Sequence, residues 1–93
     1  MKEKKREGFF KVINSKGLHT RPSTELVKCA ASFNSKIKLR YRNFVVNGKS
    51  LLGILMLAAG RGAKIKVEAM GADADTAVKT ILKLAKRQFN IKY

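Results

Sequence analysis

The stretch Gly17-Leu18-His19-Thr20-Arg21-Pro22-Ser23 contains the only histidine and the only proline of the chain, with an arginine between them. Pro22 fixes φ near the helical value and has no N–H to donate, which suits the first turn of a helix. Leu26, Val27, Ala30 and Phe33 follow at helical spacing, and Gly17 permits a tight turn before them. His19 is therefore expected where a strand ends and a helix begins. Free backbone N–H groups and the positive end of the helix dipole meet at such a place, and both favour bound phosphate. The same field works against a positively charged ring, which leaves a ring nitrogen available as a nucleophile. Arg21 adds a planar fork of donors that matches phosphate oxygens. The chemistry these residues suit is acceptance and donation of a phosphoryl group by His19.

Other chemistries fit poorly. Zinc needs several nitrogen or sulfur ligands, and the chain has one His and one Cys. A hydrolytic triad lacks an acidic residue near the histidine in sequence, although triads assemble in space. No cofactor or metal is expected. Cys29, the single cysteine, cannot form an intramolecular disulfide, and it sits on the first predicted helix as a small, partly buried side chain. A reducing cytoplasm fits this usage.

The elements that must hold these residues are legible in outline. The 93 residues imply one domain, and 45% hydrophobic content supplies a small core. Residues 1–8 read as a flexible basic tail with no apolar segment of a secretory signal, which leaves 9–93 as the folded domain. No apolar run approaches the ~20 residues of a membrane span. Phe9–Asn14 reads as a strand with Phe10 and Val12 on one face. Residues 20–33 read as a helix. Ile37, Leu39 and Tyr41 alternate with Lys36, Lys38, Arg40 and Arg42, a half-buried strand with a basic outer face. A turn at Arg42-Asn43, with Asn43 able to take positive φ, leads to a third strand, Phe44-Val45-Val46. Ser50 is placed to cap a short helix over residues 51–58. Lys64–Ala69 alternates as a fourth strand after a turn at Gly60-Arg61-Gly62. Asp73 is placed to cap a last helix with the apolar stripe Ala77, Val78, Ile81, Leu84, Ala85 and Phe89. The order βαββαβα predicts an α+β open-faced sandwich: a four-stranded antiparallel sheet with three helices on one face.

Two bulk features bear on partners. Lysine and arginine number 21 against 6 acids, a formal net charge of +15, and no acid occurs between Glu25 and Glu68. Such a surface attracts polyanions at long range. The basic residues are not interleaved with a stacking platform of aromatics, so no specific nucleic-acid site is expected. The second feature is the short helix, which is apolar almost all round. Ile54 and Leu57 are expected to face the sheet, leaving Leu51, Leu52 and Leu55, rimmed by Lys49 and Arg61, as an exposed docking cluster. A wholly buried helix fits the periodicity equally well. Ser50 either caps this helix or accepts a phosphate there.

On these residues the chain resembles the HPr family of histidine-containing phosphocarriers of the bacterial phosphotransferase system. Gly17–Ser23 is similar to the active-site signature of that family, and Asn47-Gly48-Lys49-Ser50-Leu51-Leu52-Gly53 is similar to its regulatory-serine motif. The resemblance spans Phe9 to Phe89. It implies a monomeric cytoplasmic protein that is a substrate of enzymes and not itself an enzyme. His19 would accept a phosphoryl group on Nδ1 from the phosphoenolpyruvate-dependent first enzyme, enzyme I, and pass it to sugar-permease domains of the EIIA type. Arg21 would steady the phosphate. Ser50 would be the target of an ATP-dependent serine kinase/phosphorylase, and Leu51, Leu52 and Leu55 would form the shared contact surface. A mainly regulatory role through Ser50 is the nearest alternative, and a basic nucleic-acid-binding α/β module, kept only because of the charge, is a more distant one. Thr20 and Ser23 stand where the family has alanine, and their hydroxyls either bond the phosphate or cap the helix.

Overall fold

The computed structural model describes residues 4–93. Its elements are β1 (Lys5–Lys11), α1 (Thr20–Ala31), β2 (Lys36–Tyr41), β3 (Phe44–Asn47), α2 (Leu51–Met56), β4 (Lys64–Met70) and α3 (Ala74–Lys86), followed by a short turn at Gln88–Asn90. The four strands form one sheet in the order β1-β4-β2-β3. Every neighbouring pair is antiparallel. The helices cover one face and bury Ile37, Leu39, Ile65, Val67, Leu26, Ile54 and Ile81 between the two layers. This is the open-faced sandwich that the alternation predicts. No helix among the described residues is long and apolar enough to cross a membrane.

The uncovered face is basic. Lys5, Lys11, Lys64, Lys66, Lys36, Lys38 and Arg40 share it with Glu7 and Glu68. Glu7 and Glu68 lie directly opposite each other on paired strands, an unfavourable position for like charges. Lys66 resolves it by reaching both carboxylates, at 3.4 and 3.5 Å, and Arg40 approaches Glu68 from the other side at 3.4 Å. Burial pushes the Glu68 carboxyl up, but the Arg40 guanidinium and the Lys66 ammonium outweigh it and hold the group below its ordinary value.

Several boundaries differ from the sequence reading. The first strand starts at Lys5, and Lys5, Arg6, Glu7 and Gly8 pair with Met70, Ala69, Glu68 and Val67. The expected tail therefore gives way to strand from Lys5 onward, while residues 1–3 lie outside the described residues. The inward positions here are Arg6 and Gly8, which carry no apolar signal. A Cβ on Gly8 would lie 2.8 Å from Val78 Cγ1 and 3.0 Å from Leu82 Cδ1. The missing side chain is what lets α3 lie close on β1. The positive φ of the β2–β3 turn falls on Arg42, at 56°, and not on Asn43.

The last helix also differs. Asp73 occupies its N-cap position but makes no capping bond there. Its carboxylate reaches sideways to the α1–β2 loop and accepts the N–H groups of Asn34 and Ser35, at 2.8 and 2.9 Å, and the Ser35 hydroxyl. Helix α3 stops at Lys86, so Phe89 does not continue the helical stripe. Phe89 reaches the core through Gln88, Phe89 and Asn90, all with left-handed φ of 55–63°. Such a run costs about 1–2 kcal/mol per residue for L-amino acids. Phe89 is wholly buried and meets Phe10 edge to face at 5.6 Å, which offsets that cost.

Candidate functional site

His19 stands immediately before α1 with extended backbone, and its side chain does not cap the helix. The local chain explains why. Gly17 has φ of 74°, and a Cβ there would sit 2.7 Å from the Ala59 carbonyl oxygen. The next residue, Leu18, donates its N–H to that same oxygen at 2.8 Å. The loop is thereby laced to the segment after α2 before the helix begins. Ser23 is fully buried, and its hydroxyl donates to the Leu18 carbonyl at 3.0 Å. Of the two roles open to this hydroxyl, the structure gives it a structural one: buried and bonded to the Leu18 carbonyl, it closes the helix start. Thr20 is exposed, and its carbonyl accepts the Thr24 hydroxyl at 2.8 Å. Thr20 and Arg21 carry the first two N–H groups of α1, which no carbonyl within the helix can accept.

The two nitrogens of the His19 ring are not equivalent. Nε2 is enclosed and has no hydrogen-bond partner, whereas Nδ1 is not enclosed in this way. The ring borders a shallow cleft of about 310 Å³ shared with Lys16, Leu18, Thr20, Leu55 and Ala59. Arg21 lies beside it. Its Nη1 donates to the hydroxyl of Tyr93 at 2.7 Å. The Tyr93 ring stacks on the His19 ring, with centroids 5.7 Å apart and planes 18° apart. Lys16 Nζ lies 4.9 Å from the centre of the same ring. Nothing in the sequence announces this tyrosine as part of the site, since it lies far along the chain from the histidine. Asn14 brings it there. Its buried Nδ2 donates to the carbonyls of Gln88, Ile91 and Tyr93, at 2.9, 3.3 and 3.0 Å.

The second motif lies along α2. Ser50 caps this helix, with Oγ accepting the Gly53 N–H at 3.0 Å. Ile54 and Leu57 are buried against the sheet as expected. Leu52 is 70% exposed and Leu51 37%, so the helix is not wholly buried. Leu55 is a correction. It is half-buried because it turns toward the His19 cleft, and Met56, 71% exposed, takes its place on the outer surface. Lys49 is not a free rim cation. Its ammonium donates to the Phe33 carbonyl at 2.6 Å, where it ties α2 to the end of α1. Cys29 is half-buried, and burial pushes its thiol up against the weaker pull of Arg87, which keeps it protonated.

An open-faced sandwich that holds one histidine at the exposed start of a helix, with an arginine beside it, is the architecture of a small phosphocarrier. The chain belongs to the PTS-HPr family: the family model described as the PTS HPr component phosphorylation site matches residues 7–87. Solved structures agree. HPr-C-His from Thermoanaerobacter tengcongensis is 33% identical, with a TM-score of 0.89 over 95% of this chain and 99% of that one. The phosphocarrier protein HPr from Bacillus anthracis is 30% identical, with a TM-score of 0.81 over 85% of this chain and 94% of that one. The catabolite-repression protein Crh of Bacillus subtilis, a swapped dimer in its crystal, is 28% identical, with a TM-score of 0.72 over 85% of this chain and 91% of that one.

Proposed function

We propose that this protein carries a phosphoryl group on Nδ1 of His19, receiving it from the phosphoenolpyruvate-dependent enzyme I and passing it to permease domains of the EIIA type. The observation that carries this reading is the asymmetry of the ring: Nε2 is buried without a partner, and Nδ1 is not. On receipt the Nδ1 lone pair forms the N–P bond while the bond from phosphorus to the donor breaks and the donor keeps its electrons; on delivery the acceptor's nucleophile forms the new bond to phosphorus while the N–P bond breaks and Nδ1 keeps the pair. The two free N–H groups at the start of α1 and the helix dipole favour the phosphate's negative charge. Arg21 spends one N–H on Tyr93 and keeps the rest of its fork for phosphate oxygens. The protein is thus a substrate of enzymes on both sides of the exchange, and it works in the cytoplasm.

Docking follows from the same geometry. Leu51 and Leu52 form an exposed apolar patch, and Leu55 links it to the His19 cleft. A partner that covers the patch has His19 at its edge. Ser50 opens this helix, and its phosphorylation by a serine kinase/phosphorylase sets about two negative charges against a surface that partners must desolvate. Regulation through Ser50 is therefore a second role of the same docking face.

The test is incubation of the protein with enzyme I and labelled phosphoenolpyruvate. The expected result is one acid-labile label per chain, lost in His19→Ala while the far-ultraviolet circular dichroism is retained. Label that persists in that variant excludes His19 as the acceptor.

A further inference from the structure

We propose that Tyr93 is a positioning residue for phosphoryl transfer, holding the His19 ring by its face and the Arg21 guanidinium by its hydroxyl. The inference rests on the phosphocarrier reading above and extends it to a side chain outside both motifs.

Three independent sets of contacts converge on this residue. The first is the stack on His19, whose offset and near-parallel planes fall in the range favoured by aromatic pairs. An imidazole that must present Nδ1 to an incoming phosphorus has one soft rotation, about its ring-bearing bond. A ring lying flat against it restricts that rotation and leaves the edge of the imidazole, where Nδ1 lies, uncovered by the stack. The second is the 2.7 Å bond from Arg21 Nη1 to the Tyr93 hydroxyl. Arginine 21 is exposed and its side chain has several free torsions. Bonding at one nitrogen fixes the plane of the guanidinium while its other donors stay open. The third is the anchor. Asn14 is wholly buried and its Nδ2 donates to three carbonyls of the segment from Gln88 to Tyr93. Tyr93 is therefore attached to the core through Asn14, the residue that ends the β1 side of the same loop that bears His19. One anchor sets both the nucleophile's loop and the residue that orients it. Lys16, against the Tyr93 ring, adds a cation to the same assembly.

The experiment measures phosphotransfer from enzyme I to wild type, Tyr93→Phe, Tyr93→Leu, Arg21→Ala and the Arg21→Ala/Tyr93→Phe double variant. Tyr93→Phe keeps the stack and loses the hold on Arg21. Its kcat is expected to fall roughly tenfold, the scale of a small misplacement at a reacting centre. KM for the carrier should stay within about twofold, since the docking face is untouched. Tyr93→Leu loses the stack as well and should fall further, with an altered environment of the His19 ring protons by NMR. In the Arg21→Ala background Tyr93→Phe should cost nothing more, because its hydroxyl acts through that arginine. A merely structural role would lower Tm without this non-additivity. Wild-type kcat in Tyr93→Phe, or full additivity with Arg21→Ala, overturns the proposal. If wild type takes no acid-labile label, the phosphocarrier reading itself fails; label with an unchanged rate in Tyr93→Phe removes the tyrosine alone.

Discussion

The Asp73 carboxylate receives both the backbone N–H and the side-chain hydroxyl of Ser35, and so joins the start of α3 to the loop between α1 and β2. Together with the Asn34 N–H, these bonds to its charged form hold the Asp73 carboxyl below its ordinary value, the Ser35 hydroxyl contributing most. A carboxyl lowered in the folded state stabilises the fold fully above its unfolded value and loses that contribution as pH falls through the folded one. Asp73→Ala should therefore melt below wild type at pH 7. The two melting temperatures should converge as pH drops below about 4, where the carboxyl of the unfolded chain takes up protons ahead of the folded one. Thermal melts at a series of pH values check this; a gap of constant size across the series would contradict it.

Gly8 governs how closely α3 lies on β1. A valine there would meet Val78 and Leu82 inside contact distance. Overpacking of this kind costs roughly 1–3 kcal/mol, more than the strand preference of valine returns. Urea denaturation of Gly8→Val should show a lower midpoint with an unchanged slope, and an equal midpoint would mean that α3 shifts freely.

Arg21 is exposed, so its loss should spare the fold and impair the chemistry. A charge-assisted bond to phosphate contributes ~1.5–3 kcal/mol. Arg21→Ala is expected to slow His19 phosphorylation by roughly tenfold or more, with Tm nearly unchanged. Normal transfer kinetics with a large fall in Tm would assign the arginine to stability.

Ser50 separates capping from regulation by choice of substitution. Ser50→Ala removes the oxygen that accepts the Gly53 N–H and should cost about 1 kcal/mol. Ser50→Asp keeps a capping oxygen and adds charge beside Leu51 and Leu52. It should hold its stability yet accept phosphate from enzyme I more slowly than wild type. Equal rates in stopped-flow transfer assays would remove the case for inhibition.

The basic open face predicts the salt dependence of encounter. Raising salt from about 0.05 to 0.5 M should slow association with an acidic partner by roughly tenfold or more, as screening shortens the reach of the field. RNA should bind weakly and without sequence preference. A thousandfold or so preference for one RNA sequence, the lower end for specific sites, would establish a nucleic-acid function instead.

How much of this was legible in the chain follows from what each signal needs. Alternation in Ile37–Tyr41 and Lys64–Ala69 and the helical spacing of Leu26, Ala30, Ile81 and Leu84 are local patterns. They determined the sandwich, because a half-buried strand or helix has few ways to cover its apolar side. Pro22 after Gly17 placed His19 at a helix start for the same reason: φ preferences act within a few residues. Local pattern failed where an inward position carries no apolar residue, as at Arg6 and Gly8, and where a polar group bonds across the fold. Asp73 read as a helix cap, because its partners Asn34 and Ser35 are remote in sequence. Leu55 read as exposed, because only packing shows which side of a nearly uniform helix meets the His19 cleft. Tyr93 carried no signal at all. Its place on His19 depends on Asn14, a core-bonded amide whose acceptors are backbone carbonyls, and a backbone carbonyl looks the same in every sequence. The chain alone determined the fold and the place of His19 at a helix start; the enclosure of Nε2, the stack over the ring and the hold on Arg21 were decided only by tertiary packing.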